Sequence, residues 1–198
     1  SSQIRDAARV GTTIMAVGGG NAWLGCTGPC ANFDTAILWT HDGVNPPALT
    51  ALPNLVANTS GGGQVVASAI TPDGAYIASR ARSASTGNAR QAVRVTTSLL
   101  PSPNANLAIA GFAPAIVGNS FANAISLNGG VLYGQNLNTG VAVRFDVATS
   151  SSSEIAPLAD VRRGQTPQLR LDAGDTRLLL VDLGGGRKYQ HNYVVTGN

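Results

Sequence analysis

The sequence predicts an all-β chain: an antiparallel β-propeller of about four blade-like units, with an irregular β-sandwich as the alternative. Three observations carry this expectation. Apolar and polar residues often alternate with period two, whereas no stretch places apolar residues at i, i+3, i+4 and i+7 over three helical turns. The composition is rich in small and turn-forming residues, with 24 glycines, 12% charged and 5% aromatic residues, which suits short strands joined by many turns. Most telling is a repeat. An apolar run breaks at a turn and restarts at residues 70–78, 125–133 and 169–180, with a weaker copy at 14–24. The aligned turn glycines Gly20, Gly74, Gly129 and Gly174 fall 54, 55 and 45 residues apart, a period that marks repeated structural units.

Each unit continues in the same order. A second strand follows the glycine turn, at 22–25, 75–80, 131–135 and 176–182. A polar loop leads to a third, apolar strand at 35–40, 91–96, 141–147 and 189–195. Three units add a shorter fourth strand at 48–52, about 106–109, and 154–158. The units therefore span approximately 11–57, 62–113, 119–160 and 165–198 within a single domain. One such sheet cannot cover both of its faces. Stacking the units buries Val, Ile, Leu and Ala between them, and radial closure leaves only short edges. The last unit lacks a fourth strand and residues 3–10 belong to no unit, so the segment 1–10 is the candidate to close a four-bladed ring across the termini, with a larger ring completed by another chain as the alternative.

The stretch Ala69-Ile70-Thr71-Pro72-Asp73-Gly74-Ala75-Tyr76-Ile77-Ala78 resembles the Ser-Pro-Asp-Gly turn of extracellular YVTN and TolB-type propeller blades. The stretch from Ala36-Ile37-Leu38-Trp39-Thr40 through Leu52-Pro53 to Asp73-Gly74 is similar to the HAF-type repeat of bacterial secreted and surface proteins. The resemblance covers two units well and two loosely, and such motifs report fold rather than activity. It implies a secreted or surface-exposed β-propeller with a binding role, the periplasm being the other compartment. It brings no catalytic residues, and Asn128 and Ala173 depart from the Asp of the motif.

Composition excludes several classes. The pI of 9.2 reflects few acids, since the net charge is only +3. Cations are scattered, with Arg162-Arg163 and Arg187-Lys188 the adjacent pairs, so a nucleic-acid partner, which would want clustered cations and interleaved aromatics, is not expected. The longest apolar run, 107–118, contains Pro114 and falls short of the roughly 20 residues of a membrane helix. The chain begins at Ser1 without Met, which fits a processed mature chain or a trimmed one. Scarce Lys and Glu and abundant small polar residues resemble secreted bacterial proteins.

Cys26 and Cys30 lie in Gly25-Cys26-Thr27-Gly28-Pro29-Cys30, where a tight turn brings two thiols within disulfide range. A structural disulfide, worth roughly 2 kcal/mol for so small a loop, is the first reading. Free thiols are the second, and a redox or metal site the third. Redox dithiols use two intervening residues rather than three, and a metal site would need further Cys or His nearby in sequence.

No catalytic residue, metal ligand or cofactor is predicted. His41-Asp42-Gly43 reads as a β-turn after the Trp39 strand, and no Gly-x-Ser-x-Gly elbow supplies a nucleophile for a His41 base. His191 reads as a cross-strand neighbour. Asp34, Asp73, Asp146 and Asp182 are candidates to converge on a channel, although Asp73 is better explained as a turn former. Asp172 and Asp175 flank Gly174 but lack the regular oxygen ligands of a calcium loop. The glycine runs at 18–20, 61–63 and 184–186 precede no Lys-Ser/Thr pair and read as turns. Trp23 and Trp39 could stack on sugar rings if exposed, against core packing as the alternative.

The binding candidates are thus Trp39, His41, Asp34 and Asp182. The expected function is a non-enzymatic module for binding or adhesion, with a protein or glycan ligand. A structural subunit of an extracellular fibre, coat or surface layer, built as a homo-oligomer in which the apolar segment 107–117 suits subunit contacts, is the alternative. A propeller-channel hydrolase or lyase is the second alternative.

Overall fold

The computed structural model describes residues 2–21, 34–53, 66–82, 90–108, 120–136, 141–155, 167–171, 177–182 and 189–194. Among them the fold is all-β, with four open antiparallel sheets. The first contains β1 (Ser2–Val10), β2 (Thr13–Asn21), β3 (Asp34–His41) and β4 (Ala48–Ala51). The second contains β5 (Ala69–Ile70), β6 (Tyr76–Arg82), β7 (Arg90–Thr96) and β8 (Asn106–Ala108). The third contains β9 (Ser120–Ile125), β10 (Val131–Asn136), β11 (Val141–Asp146) and β12 (Ser151–Glu154). The fourth contains β13 (Pro167–Leu171), β14 (Arg177–Asp182) and β15 (Tyr189–Val194). Within every sheet the strands lie in chain order, so each is a meander. The leading strands touch in succession, β1 against β5, β5 against β9, and β9 against β13.

The hairpin turns of the second and third sheets match bond for bond. Thr71 Oγ1 donates to Asp73 Oδ1 at 2.6 Å and accepts from Tyr76 N at 3.0 Å, while Asp73 Oδ1 also accepts from Ala75 N at 2.9 Å. Ser126 Oγ donates to Asn128 Oδ1 at 2.8 Å and accepts from Val131 N at 2.9 Å, while Asn128 Oδ1 accepts from Gly130 N at 2.8 Å. Asn128 thus does with an amide oxygen what Asp73 does with a carboxylate. In both turns the next residue is a glycine with φ of +71°, where an L side chain is strained. Space excludes a side chain as well: a Cβ on Gly74 would collide with Met15, and one on Gly129 with the ring of Tyr76. Each turn therefore seats on the sheet before it.

The first unit differs from expectation. Its hairpin turn is Gly11-Thr12, between Val10 and Thr13, and Gly20 lies inside β2. Gly11 has φ of +62°, which suits a two-residue loop of the primed turn types. The segment 1–10, expected to close the ring beside the last unit, instead supplies β1 and pairs with β2 from Ser2–Gly20 to Val10–Thr13. A two-residue connection pairs adjacent strands at far smaller loop-closure cost than a pairing across the whole chain. A strand predicted at 154–158 occurs earlier, as Ser151–Glu154. Its side chains are all exposed, so no apolar alternation marks it. The Val147–Ser150 turn instead fixes its position, with Ser150 at φ +52° and Asp146 Oδ1 accepting from Thr149 N at 3.1 Å. The remaining third and fourth strands fall within two residues of expectation. The turns at Gly174 and the fourth-unit loops lie outside the described residues, as do Trp23 and most of 107–117.

The core occupies the spaces between sheets. Val17, Ala36, Leu38 and Leu52 of the first unit meet Ile70, Ile77, Val93 and Val95 of the second. On the second sheet's other face, Ala78 and Ala92 meet Ala122, Ile125, Leu132, Val143 and Phe145 of the third. Polar bonds tie the same joints. Asp6 Oδ2 accepts from Ile70 N at 2.9 Å, and Ser120 Oγ accepts from Ala92 N at 3.0 Å. No described helix is long and apolar enough to cross a membrane.

Candidate functional site

Alternation along β3 sorts its residues onto two faces. Ala36 and Leu38 point into the joint with the second sheet and are buried. Ile37, Trp39 and His41 point the other way. Register carries this second face across the sheet in three rows: Ile4–Gly18–Ile37–Ala51, Ala7–Ala16–Trp39–Leu49, and Arg9–Ile14–His41. The rows end at the loop 42–47. Its centre is apolar, yet much of it is exposed: Ile4 by 70%, Leu49 by 54% and Ile14 by 44%, with Trp39 and His41 half-buried.

Trp39 and His41 form the aromatic centre, their ring centroids 5.6 Å apart and tilted by 45°. His41 does not form a dyad with Asp42. The Asp42 carboxylate is engaged by its own loop, with Oδ1 accepting from Val44 N at 2.9 Å and Asn45 N at 2.8 Å, and Oδ2 accepting from Asn45 Nδ2 at 2.7 Å. These bonds, the Asn45 and Val44 amides first, hold the Asp42 carboxyl down at about 2. Gly43 completes the turn with φ of +84°, as its sequence predicts. His41 Nδ1 is shielded from solvent without a hydrogen-bond partner. The face thus combines a tilted aromatic pair with aliphatic neighbours, and Arg9 stands at its rim.

The structure thus brings Trp39 and His41 together. Asp34 occupies the opposite end of β3, paired with Asn21, roughly 23 Å of strand from His41. Asp182 ends β14 in the fourth sheet, paired with Pro167 and Tyr189. Asp73 and Asp146 are turn acids, each held below the usual carboxylate range by bonds within its own turn: the Thr71 hydroxyl and Ala75 amide for Asp73, the Thr149 amide first for Asp146. Cys26 and Cys30 lie outside the described residues. His191 pairs with Leu180 across β14 and β15. Sequence reasoning missed Ile4, Ile14 and Leu49, whose role depends on β1 and β2 forming one hairpin. The alternation of Ile37, Trp39 and His41 against Ala36 and Leu38 was the available signal.

No protein-family model matches the chain. Among solved structures, the chain is similar to apo AztD from Citrobacter koseri at 14% identity and a TM-score of 0.44. That alignment covers 98% of this chain and 47% of the AztD chain, so the chain spans about half the length of that structure.

Proposed function

We propose that the four meanders are successive blades of a β-propeller and that the chain is a secreted or surface-exposed binding module without catalytic activity. The blade reading is supported by the order of contacts. Leading strands touch in succession, each sheet meanders in chain order from its leading strand, and the turn glycines Gly74 and Gly129 seat on the preceding sheet. A sandwich would instead gather the strands into two facing layers.

The exposed apolar face around Trp39 carries the functional part. Soluble chains seldom leave contiguous apolar sheet surface open, and such patches mark interaction sites. Arg9 stands at one corner of it and the loop 42–47, which carries Asp42 and Asn45, at the end. This is the anatomy of a surface for a protein or glycan ligand. The test is a panel of glycans and extracellular proteins titrated against the chain and against Trp39→Ala. Binding that weakens at least about tenfold in the variant supports the reading, as expected for an aromatic anchor. No binding to any member at high concentration counts against it.

A further inference from the structure

The two matched turns differ in reactivity where they agree in geometry. Asp73 and Asn128 make the same bonds, but a carboxylate and an amide behave differently beside a glycine. Asn128-Gly129 is the one Asn-Gly pair in the sequence, and Gly129 has no side chain to shield its amide nitrogen from the asparagine before it. Once that nitrogen sheds its proton it attacks Cγ of Asn128. The new N–Cγ bond closes a cyclic imide, and ammonia leaves. Water then opens the ring on either side. Breaking the N–Cγ bond leaves an ordinary aspartate. Breaking the bond from the nitrogen to the main-chain carbonyl carbon leaves isoaspartate, with the backbone rerouted through Cβ and Cγ. Asp73 precedes Gly74 in the same way, but its carboxyl is held below the usual carboxylate range by the Thr71 hydroxyl and the Ala75 amide. An ionised carboxylate resists such attack.

The folded turn engages each group that the reaction needs. Gly129 N donates to Ser126 O at 2.9 Å. Asn128 Oδ1 accepts from Ser126 Oγ and from Gly130 N, each at 2.8 Å, which fixes the carboxamide. Gly129 O accepts from Arg94 Nη1 at 2.9 Å, and Gly129 packs on the Tyr76 ring. Asn128 itself is exposed, so bonding rather than burial is the barrier. We propose that Asn128 is a self-modification site gated by its own turn: the closed turn blocks imide formation, the open turn permits it, and the fold accepts the aspartate product but not isoaspartate. Aspartate fits because the second sheet holds the same turn with Asp73 in that place. Isoaspartate does not, because it adds a methylene to the backbone just before Gly129. That glycine is fixed by Tyr76, by Arg94 and by a φ of +71°. Opening of the joint between the second and third sheets thereby leaves a permanent mark on the chain.

Mass spectrometry of the full chain aged in mildly alkaline buffer, with peptide maps that separate aspartate from isoaspartate, tests this. In guanidinium the amide-to-acid change is expected first at Asn128. In native buffer it slows at least about tenfold, because conversion follows the open fraction. Ser126→Ala frees Oδ1 from one of its donors, and Arg94→Met removes the charge-assisted bond to Gly129 O. Each is expected to speed native conversion about tenfold, whereas Val17→Ala, in the other joint, leaves it nearly unchanged. Refolding the aged chain reads the products without any variant. The aspartate fraction melts with the parent and with Asn128→Asp, and the isoaspartate fraction melts lower or stays unfolded. Equal rates in native and denatured chains, earlier conversion at another asparagine, or an isoaspartate fraction that melts with the parent would overturn the proposal. So would acceleration by Val17→Ala as large as by Ser126→Ala, since global unfolding would then be the gate.

Discussion

At the scale of single residues, the turn chemistry divides into groups that bond and groups that only bend. Asn128 holds its turn through one amide oxygen, so Asp73→Asn keeps the acceptor for Thr71 and Ala75 and is expected to leave stability at neutral pH nearly unchanged. Thr71→Val removes both hydroxyl bonds beneath a buried position and is expected to cost about 1–3 kcal/mol in denaturant melts. The carboxylate adds a pH dependence that the amide lacks. Its folded pKa is lowered, so it stabilises the fold above the unfolded value of about 3.9 and loses that contribution as pH falls through the folded value. Melts at pH 7 and near pH 3 should therefore show a smaller acid loss for Asp73→Asn than for the parent chain. Asp42 follows the same sign within its own loop, and the Val44 and Asn45 amide resonances should titrate with a midpoint of about 2. A midpoint near the ordinary carboxylate value would separate that carboxyl from those amides. Glycine positions are graded by what surrounds them. Gly43→Ala meets open space and pays only for positive φ, about 1 kcal/mol, whereas Gly129→Ala also displaces the Tyr76 ring and is expected to cost distinctly more. Gly74 and Gly129 were legible in the sequence because Pro-Asp-Gly and Asn-Gly specify a turn locally. Gly20 misled because three successive glycines look like a turn, while the pairing of Gly18, Gly19 and Gly20 with β1 and β3 is a long-range choice.

At the scale of elements, the strands that alternate were legible and those that do not were not. β7 alternates Val93 and Val95 against Ala92 and Arg94, β11 alternates Val143 and Phe145 against Ala142 and Arg144, and their limits fall within one residue of expectation. The four exposed residues of β12 carry no such signal, and its place follows from the turn before it. β1 is the instructive case. Ser2–Val10 mixes Arg, Asp and Gln with Ile and Ala because one side meets the second sheet and the other is an open face, so its pattern looks like neither a buried strand nor a loop. Deleting residues 1–8 removes most of the β1–β2 pairing, the cover over Met15 and Val17, and the Asp6 acceptor for Ile70 N. A marked fall in melting temperature is expected. An unchanged melt would mean that β1 is dispensable to the first sheet. Asp6→Ala isolates the last of these effects and should cost about 1–3 kcal/mol, the penalty for a partly buried amide left unpaired.

At the scale of the whole molecule, the first three sheets are joined face to face by two separate clusters with the second sheet between them. Stability in such a stack is a sum of unit terms and nearest-neighbour joints. The joint between the second and third sheets has a distinctive centre: the Tyr76 ring packs on Gly129 and on the Arg94 guanidinium, whose Cζ stands 4.4 Å from the ring centroid and whose Nη1 donates to Gly129 O at 2.9 Å. One cation thus links a strand of one sheet to the turn of the next. Arg94→Lys keeps the charge but loses the planar fork that stacks and donates at once, so it is expected to behave more like Arg94→Met than like the parent. Leu132→Ala tests the stack itself. It empties a fully buried position in the second joint and is expected to cost about 2–5 kcal/mol. Hydrogen exchange should then accelerate first in β9 to β11 and at Ala92 N, whose acceptor is Ser120 Oγ, because local opening follows contiguous packing units. The amides of β2 and β3 around Val17 and Leu38 belong to the other cluster and should keep most of their protection. Equal acceleration in all the sheets would mean that the fold opens as one indivisible unit, and the joints would then have no separate energetic identity.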